Sequence, residues 1–129
     1  MKIFLIFIIA VSLISSAGCA VMSGSGSEPT DSLKTFVSGL KGKDPSKVKS
    51  SLSKSSIQML ESGAKASDQT VDEFIKSGKA SEGLKVEGEF RNEKIEGNTA
   101  TVEAKSGDKW ETIHLVKESG VWKVALDKN

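Results

Sequence analysis

The chain has 129 residues, 37% of them hydrophobic, 27% charged and 5% aromatic, with one Cys, one His and no Tyr. That length suits one domain, and the cysteine and histidine counts exclude disulfide scaffolds, zinc ribbons and His-based metal sites. The formal charge is +1 with the two signs interspersed, which argues against nucleic-acid binding because that needs a concentrated basic surface.

Lys2 precedes an apolar run, Ile3 to Ile14, broken only by Ser12. As a helix the run would reach about 18 Å, short of a hydrocarbon core of about 30 Å. It reads as the apolar region of a signal peptide rather than as a membrane span. Ser15-Ser16-Ala17-Gly18-Cys19 follows at once. Small residues before a lone Cys resemble the lipobox of bacterial lipoproteins. The resemblance implies a signal peptide over residues 1–18, cleavage between Gly18 and Cys19, and acylation of Cys19. More than one acyl chain on that residue would anchor the protein stably to a membrane. An ordinary secretory signal with an incidental Cys is one alternative, and an uncleaved short anchor is another. The resemblance places the chain in a bacterial cell envelope, facing the periplasm or the exterior. Ala20 stands where an Asp would favour inner-membrane retention, which points to the outer membrane if the host is Gram-negative. Loss of Lys2 leaves 17 basic residues against 17 acidic ones.

Residues 19–30 form the lipidated Cys and a tether. Val21 to Thr30 alternates Ser with Gly before Glu28-Pro29, and ten such residues span roughly 17 Å as flexible coil.

Residues 31–129 read as one α+β domain. Leu33, Phe36, Val37 and Leu40 recur at helical spacing, with Thr30 or Asp31 as cap and Gly42 as stop. Asp44-Pro45 opens a short helix with Val48 and Leu52. Ile57 and Leu60 mark another turn or two. Val71, Phe74 and Ile75 mark a further helix, closed by Gly78. After residue 83 the period becomes two. Val86–Phe90, Ala100–Ala104, Ile113–Leu115 and Trp122–Leu126 alternate apolar with polar, separated by Gly97-Asn98, Gly107-Asp108 and Ser119-Gly120. Two-residue turns set Val102 opposite Ile113, Ala100 opposite Leu115, Leu115 opposite Val124 and Ile113 opposite Leu126. All fall on one face, and a one-residue slip would break that agreement. Phe90 and Ile95 have opposite parity, so a bulge is expected between them. The expected fold is three or four short N-terminal helices packed on one face of a four-stranded antiparallel sheet.

Leu115-Val116-Lys117-Glu118-Ser119-Gly120-Val121-Trp122-Lys123-Val124 resembles the closing hairpin of the nuclear-transport-factor-two-like (NTF2-like) superfamily. The start, Leu33-Phe36-Val37-Leu40 and Asp44-Pro45, resembles that family's first helix and its joint, in particular in its bacterial lipoprotein branch. The resemblance implies a cone of helices closed on a curved sheet, often with a pocket between them. It does not imply an activity. Enzymes of the superfamily usually place an Asp, His or Tyr in the cone. This chain has no Tyr, and the strand register puts His114 on the opposite face.

His114 pairs with Thr101 and Ala125 and reads as an exposed sheet-face residue. Trp110, Val116 and Val121 share that face and form a semi-apolar strip suited to a protein partner or a homodimer. Alternatively Trp110 only covers the sheet, with Lys105 on its ring. Phe36, Phe74, Phe90 and Trp122 would line an apolar pocket if the cone holds one. Asp72-Glu73, Glu93 and Glu96 read as solvated carboxylates. No residue is assigned to catalysis, metal or cofactor binding. The expected function is a membrane-anchored, non-catalytic interaction module. Small apolar ligand binding in the cone is the alternative, and an isomerase or hydrolase in the same cone is a third reading.

Overall fold

The structure, a computed structural model, describes residues 28–128. The expected signal peptide, Cys19 and residues 20–27 of the tether lie outside the described residues. Four helices come first: α1 (Pro29–Lys41), α2 (Pro45–Ser51), α3 (Lys54–Ala66) and α4 (Val71–Lys76). Strands β1 (Val86–Glu96), β2 (Thr99–Ser106), β3 (Lys109–Glu118) and β4 (Val121–Val124) follow. Short 3-10 turns occupy Lys79–Ser81 and Leu126–Lys128. The sheet is antiparallel in chain order, so the α+β layer expected from the sequence is the one observed.

α1 begins at Pro29, two residues inside the segment expected to be tether. Proline suits a first helical position, where its missing N–H would be unsatisfied anyway. Thr30 is held as well: its N–H donates to the Glu93 carboxylate at 2.9 Å, and its hydroxyl donates to the same oxygen. α2 starts as expected. The Asp44 carboxylate accepts from the N–H groups of Ser46 and Lys47 at 3.0 and 3.2 Å. α3 is longer than the spacing of Ile57 and Leu60 suggests. It buries only Ser56 and Ala64, so its apolar pattern is sparse, and the Ser53 hydroxyl caps it. Thr70 opens α4 through a capping box with Glu73.

In the sheet, Ala100 pairs with Leu115, Val102 with Ile113 and Leu115 with Val124, as parity requires. These residues, with Ala104 and Trp122, are buried against Leu33, Phe36, Val37, Leu40, Val48 and Ile75 of the helices. The expected bulge lies between Arg91 and Lys94, with Asn92 in the left-handed region. It sets both Phe90 and Ile95 on the inner face, opposite Ala104 and Ala100. A second shift, between Val86 and Phe90, uses Gly88 at φ +97°.

One expected pairing does not form. β4 ends at Val124, and Leu126 enters a 3-10 turn instead of facing Ile113. The cause is competition for backbone groups. The Trp122 carbonyl accepts from the Ser32 hydroxyl at 2.7 Å. The Val124 carbonyl accepts from the Ser53 N–H at 2.9 Å and the Ser56 hydroxyl at 3.1 Å. The Leu126 N–H donates to Ser56 Oγ at 2.7 Å. All three serines are buried. Removing the Ser56 hydroxyl strands the half-buried Leu126 N–H. Ser56→Ala is therefore expected to cost about 1–3 kcal/mol in chemical denaturation. The exposed control Ser62→Ala should stay within about 0.5 kcal/mol.

Candidate functional site

β3 presents Trp110, Thr112, His114 and Val116 on the face away from the core, because they alternate with buried Ile113 and Leu115. Val121 joins them through its pairing with Glu118. Trp110, His114, Val116 and Val121 are all half-buried. Trp110 and Val116 stand at opposite ends of the strip, roughly 20 Å apart at strand rise.

Trp110 pairs with Lys105 in register, but Lys105 does not cover its ring. Lys105 turns to Glu89 at 3.2 Å and Glu87 at 3.9 Å. The Arg91 guanidinium takes the ring instead, 3.9 Å from its centroid. Arg91 Nε also donates to Glu103 at 2.7 Å, and Asn92 Nδ2 donates to the same oxygen at 2.7 Å. These two donors hold the Glu103 carboxyl below the usual glutamate range. The planar guanidinium can stack on the ring and hydrogen-bond the carboxylate at once, which an ammonium cannot.

His114 pairs with Thr101, as the register predicts, and Thr101 pairs on its other side with Lys94. With Glu96 and Thr99 they line a cleft of about 200 Å³ on the outer face. An imidazole-, an ammonium- and a carboxylate-bearing residue therefore line one cleft outside the cone. The other singled-out carboxylates are engaged structurally. Asp72 pairs with Lys49 at 2.7 Å, Glu93 receives α1, and Glu73 closes the capping box. Bonds from the Thr70 backbone N–H and then its hydroxyl lower the Glu73 pKa.

The four aromatic residues expected to share one pocket are divided. Phe36 and Trp122 are core residues, 3% and 4% exposed. Phe90 lines an open cleft with Lys34, Val37 and Lys41. Phe74 lines a separate groove with Met59, Leu60, Leu84 and Leu126. The sequence did not mark this groove. Its walls come from α3, α4 and both 3-10 turns, and Met59 lies off every apolar stripe. Among the described residues no group of three His, Cys, Asp or Glu could hold a metal ion. Among them no helix is long and apolar enough to cross a membrane.

No family model matches the chain, and no curated protein does. Among solved structures it is similar to that of a proposed NTF2-like transpeptidase from Campylobacter jejuni. The identity is 20% and the TM-score 0.50, covering 77% of this chain and 98% of that one. The fold is thus NTF2-like, as the closing hairpin suggested.

Glu73 and Glu103 are both held below their ordinary value. Their stabilising contribution is complete above the unfolded carboxyl pKa and is lost as pH falls through the lower folded one. Melting temperature should therefore drop on acidification below about pH 4.5. Glu73→Gln combined with Glu103→Gln should flatten that acid limb. An unchanged slope in the double variant would contradict the assignment.

Proposed function

We propose that this chain is an envelope lipoprotein, anchored through acylated Cys19, whose NTF2-like domain is a non-catalytic binding module. The filled cone carries the reading. Phe36 and Trp122 occupy the space between helices and sheet together with Leu33, Leu115 and Val124. An internal substrate site would need that volume. The contact surface falls to the outer sheet face, with Trp110, Val116 and Val121 meeting a protein partner or a second copy of the chain. Trp110 suits this role because Arg91 and Glu103 already fix its ring. Little side-chain freedom is left to lose on association.

Transpeptidation, the activity proposed for the Campylobacter protein, needs an activated nucleophile. Here the buried hydroxyls of Ser53 and Ser56 bond each other at 2.7 Å. Ser56 also bonds the backbone of β4 and of the final turn. That arrangement supports a structural role for both serines. The sole thiol, Cys19, is consumed by the anchor on this reading.

Two measurements test the proposal. Cys19→Ser should abolish incorporation of an alkynyl fatty acid and move the chain out of the membrane fraction. Retained label would overturn the anchor. Trp110→Ala should lower in-cell crosslinking to the partner or to a second copy. Its thermal stability should change by about 1 kcal/mol or less, the worth of an exposed cation–π contact. Unchanged crosslinking would remove the sheet face from the reading.

A further inference from the structure

Three clefts on the helical side of the domain share walls. The most apolar, about 350 Å³, lies between α3, α4 and the two 3-10 turns. Met59, Leu60, Phe74, Ala80, Leu84 and Leu126 line it, and no strand residue does. It is therefore separate from the cone and from the sheet face. Leu84 is also a wall of a second cleft, about 260 Å³, that holds Lys41 and Lys43. Val37 and Lys41 continue into a third with Lys34. Among the described residues Lys79 is the one charged residue that lines the apolar groove. Among the described residues these linked clefts carry four lysines and no carboxylate.

Two of those lysines are committed. Lys34 faces Asp31 at 3.7 Å, and Lys41 donates to the Glu87 carbonyl at 2.8 Å. Lys43 and Lys79 have no carboxylate within ion-pair distance among the described residues. The fold brings the end of the Lys43 side chain to the backbone next to Lys79. Lys43 adopts the left-handed conformation, φ +51°, and its side chain runs beside Gly78. A Cβ added there would sit 3.6 Å from Lys43 Cε and 3.8 Å from Nζ. Lys79 is the next residue. Lys79 on the apolar groove and Lys43 on the cleft that shares its Leu84 wall thus have no carboxylate partner among the described residues.

We propose that this groove binds a single-chain amphiphilic carboxylate. The tail lies along Met59, Phe74, Leu84 and Leu126, and the head group pairs with Lys43 and Lys79. The groove volume falls in the range of small-molecule sites. Burying methylenes drives the tail in, and the ammonium pair lets the carboxylate keep its charge. Gly63 forms a bare part of the wall. A Cβ there would meet the Phe74 ring at 3.5 Å, an ordinary contact. A larger residue at that position would fill the groove, and a helix favours Ala or Leu over Gly.

The test is photolabelling of membranes that carry the full chain. The probe is a long-chain carboxylate with a diazirine near its tail end, and adducts are mapped by mass spectrometry. Adducts are expected within residues 54–66 and 71–84. Gly63→Leu should cut labelling by about tenfold, the worth of roughly two buried methylenes, and Gly63→Ala by less. Lys43→Gln with Lys79→Gln should cut it by about fivefold, and the matching long-chain alcohol should label the wild type correspondingly less. Limited proteolysis establishes that each variant is folded. Equal labelling by the alcohol would overturn the head-group site. Undiminished labelling of folded Gly63→Leu and Gly63→Ala would overturn the groove. Adducts confined to the outer sheet face would overturn both.

Discussion

The outer edge of β4 is the constraint on which the rest of the domain depends. A four-residue edge strand cannot satisfy its own outward carbonyls, and burying them unpaired would be costly. Ser32 on α1 and Ser53 and Ser56 at the start of α3 supply the missing donors. These bonds join residues separated by 68 to 90 positions in sequence. They fasten the helical layer to the last strand and set how deeply α1 sits against the sheet. Leu52, between α2 and α3, adds a parallel bridge to Val124.

With the helices drawn down onto the sheet, the cone fills with its own side chains. Val48, Val102 and Val124 have no exposure at all. Polar and aromatic groups with work to do are displaced to the periphery. On the outer sheet face the bulge at Asn92 keeps Arg91 and Asn92 both within reach of Glu103. Arg91 in turn fixes Trp110. On the helical side the long, lightly buried α3 leaves a groove over Phe74. An NTF2-like domain built this way offers surfaces instead of a chamber.

Much of the architecture was legible because strand parity is unforgiving. The turns at Gly107-Asp108 and Ser119-Gly120 fixed which residues face the core, and the Phe90–Ile95 mismatch located a bulge. Asp44-Pro45 announced α2 for an equally local reason. The end of β4 was not legible, since the serines that stop it lie far away in sequence and look like ordinary polar surface. Apolar character alone did not separate the fates of the four aromatic residues. Phe36 and Trp122 lie under other elements, whereas Phe74 and Phe90 sit at margins, and depth is a tertiary property. Lys105 was the expected cover for Trp110 because it lies directly across the strand pair. Arg91, two strands away on β1, won through its planar group and its tie to Glu103. The helical groove left no periodic trace, since four separate segments build it.

β1, the other margin of the sheet, is shaped differently from β4. It carries two register shifts, at Gly88 and Asn92, and charges at Glu87, Glu89, Arg91, Glu93, Lys94 and Glu96. A kinked, charged border is a poor template for strand addition. The serine clasp closes the opposite border. Neither side of the sheet therefore offers a straight, vacant ladder to a neighbouring molecule. Copies crowded together at high density can collide without polymerising edge to edge, which keeps their broader faces free for selective contacts.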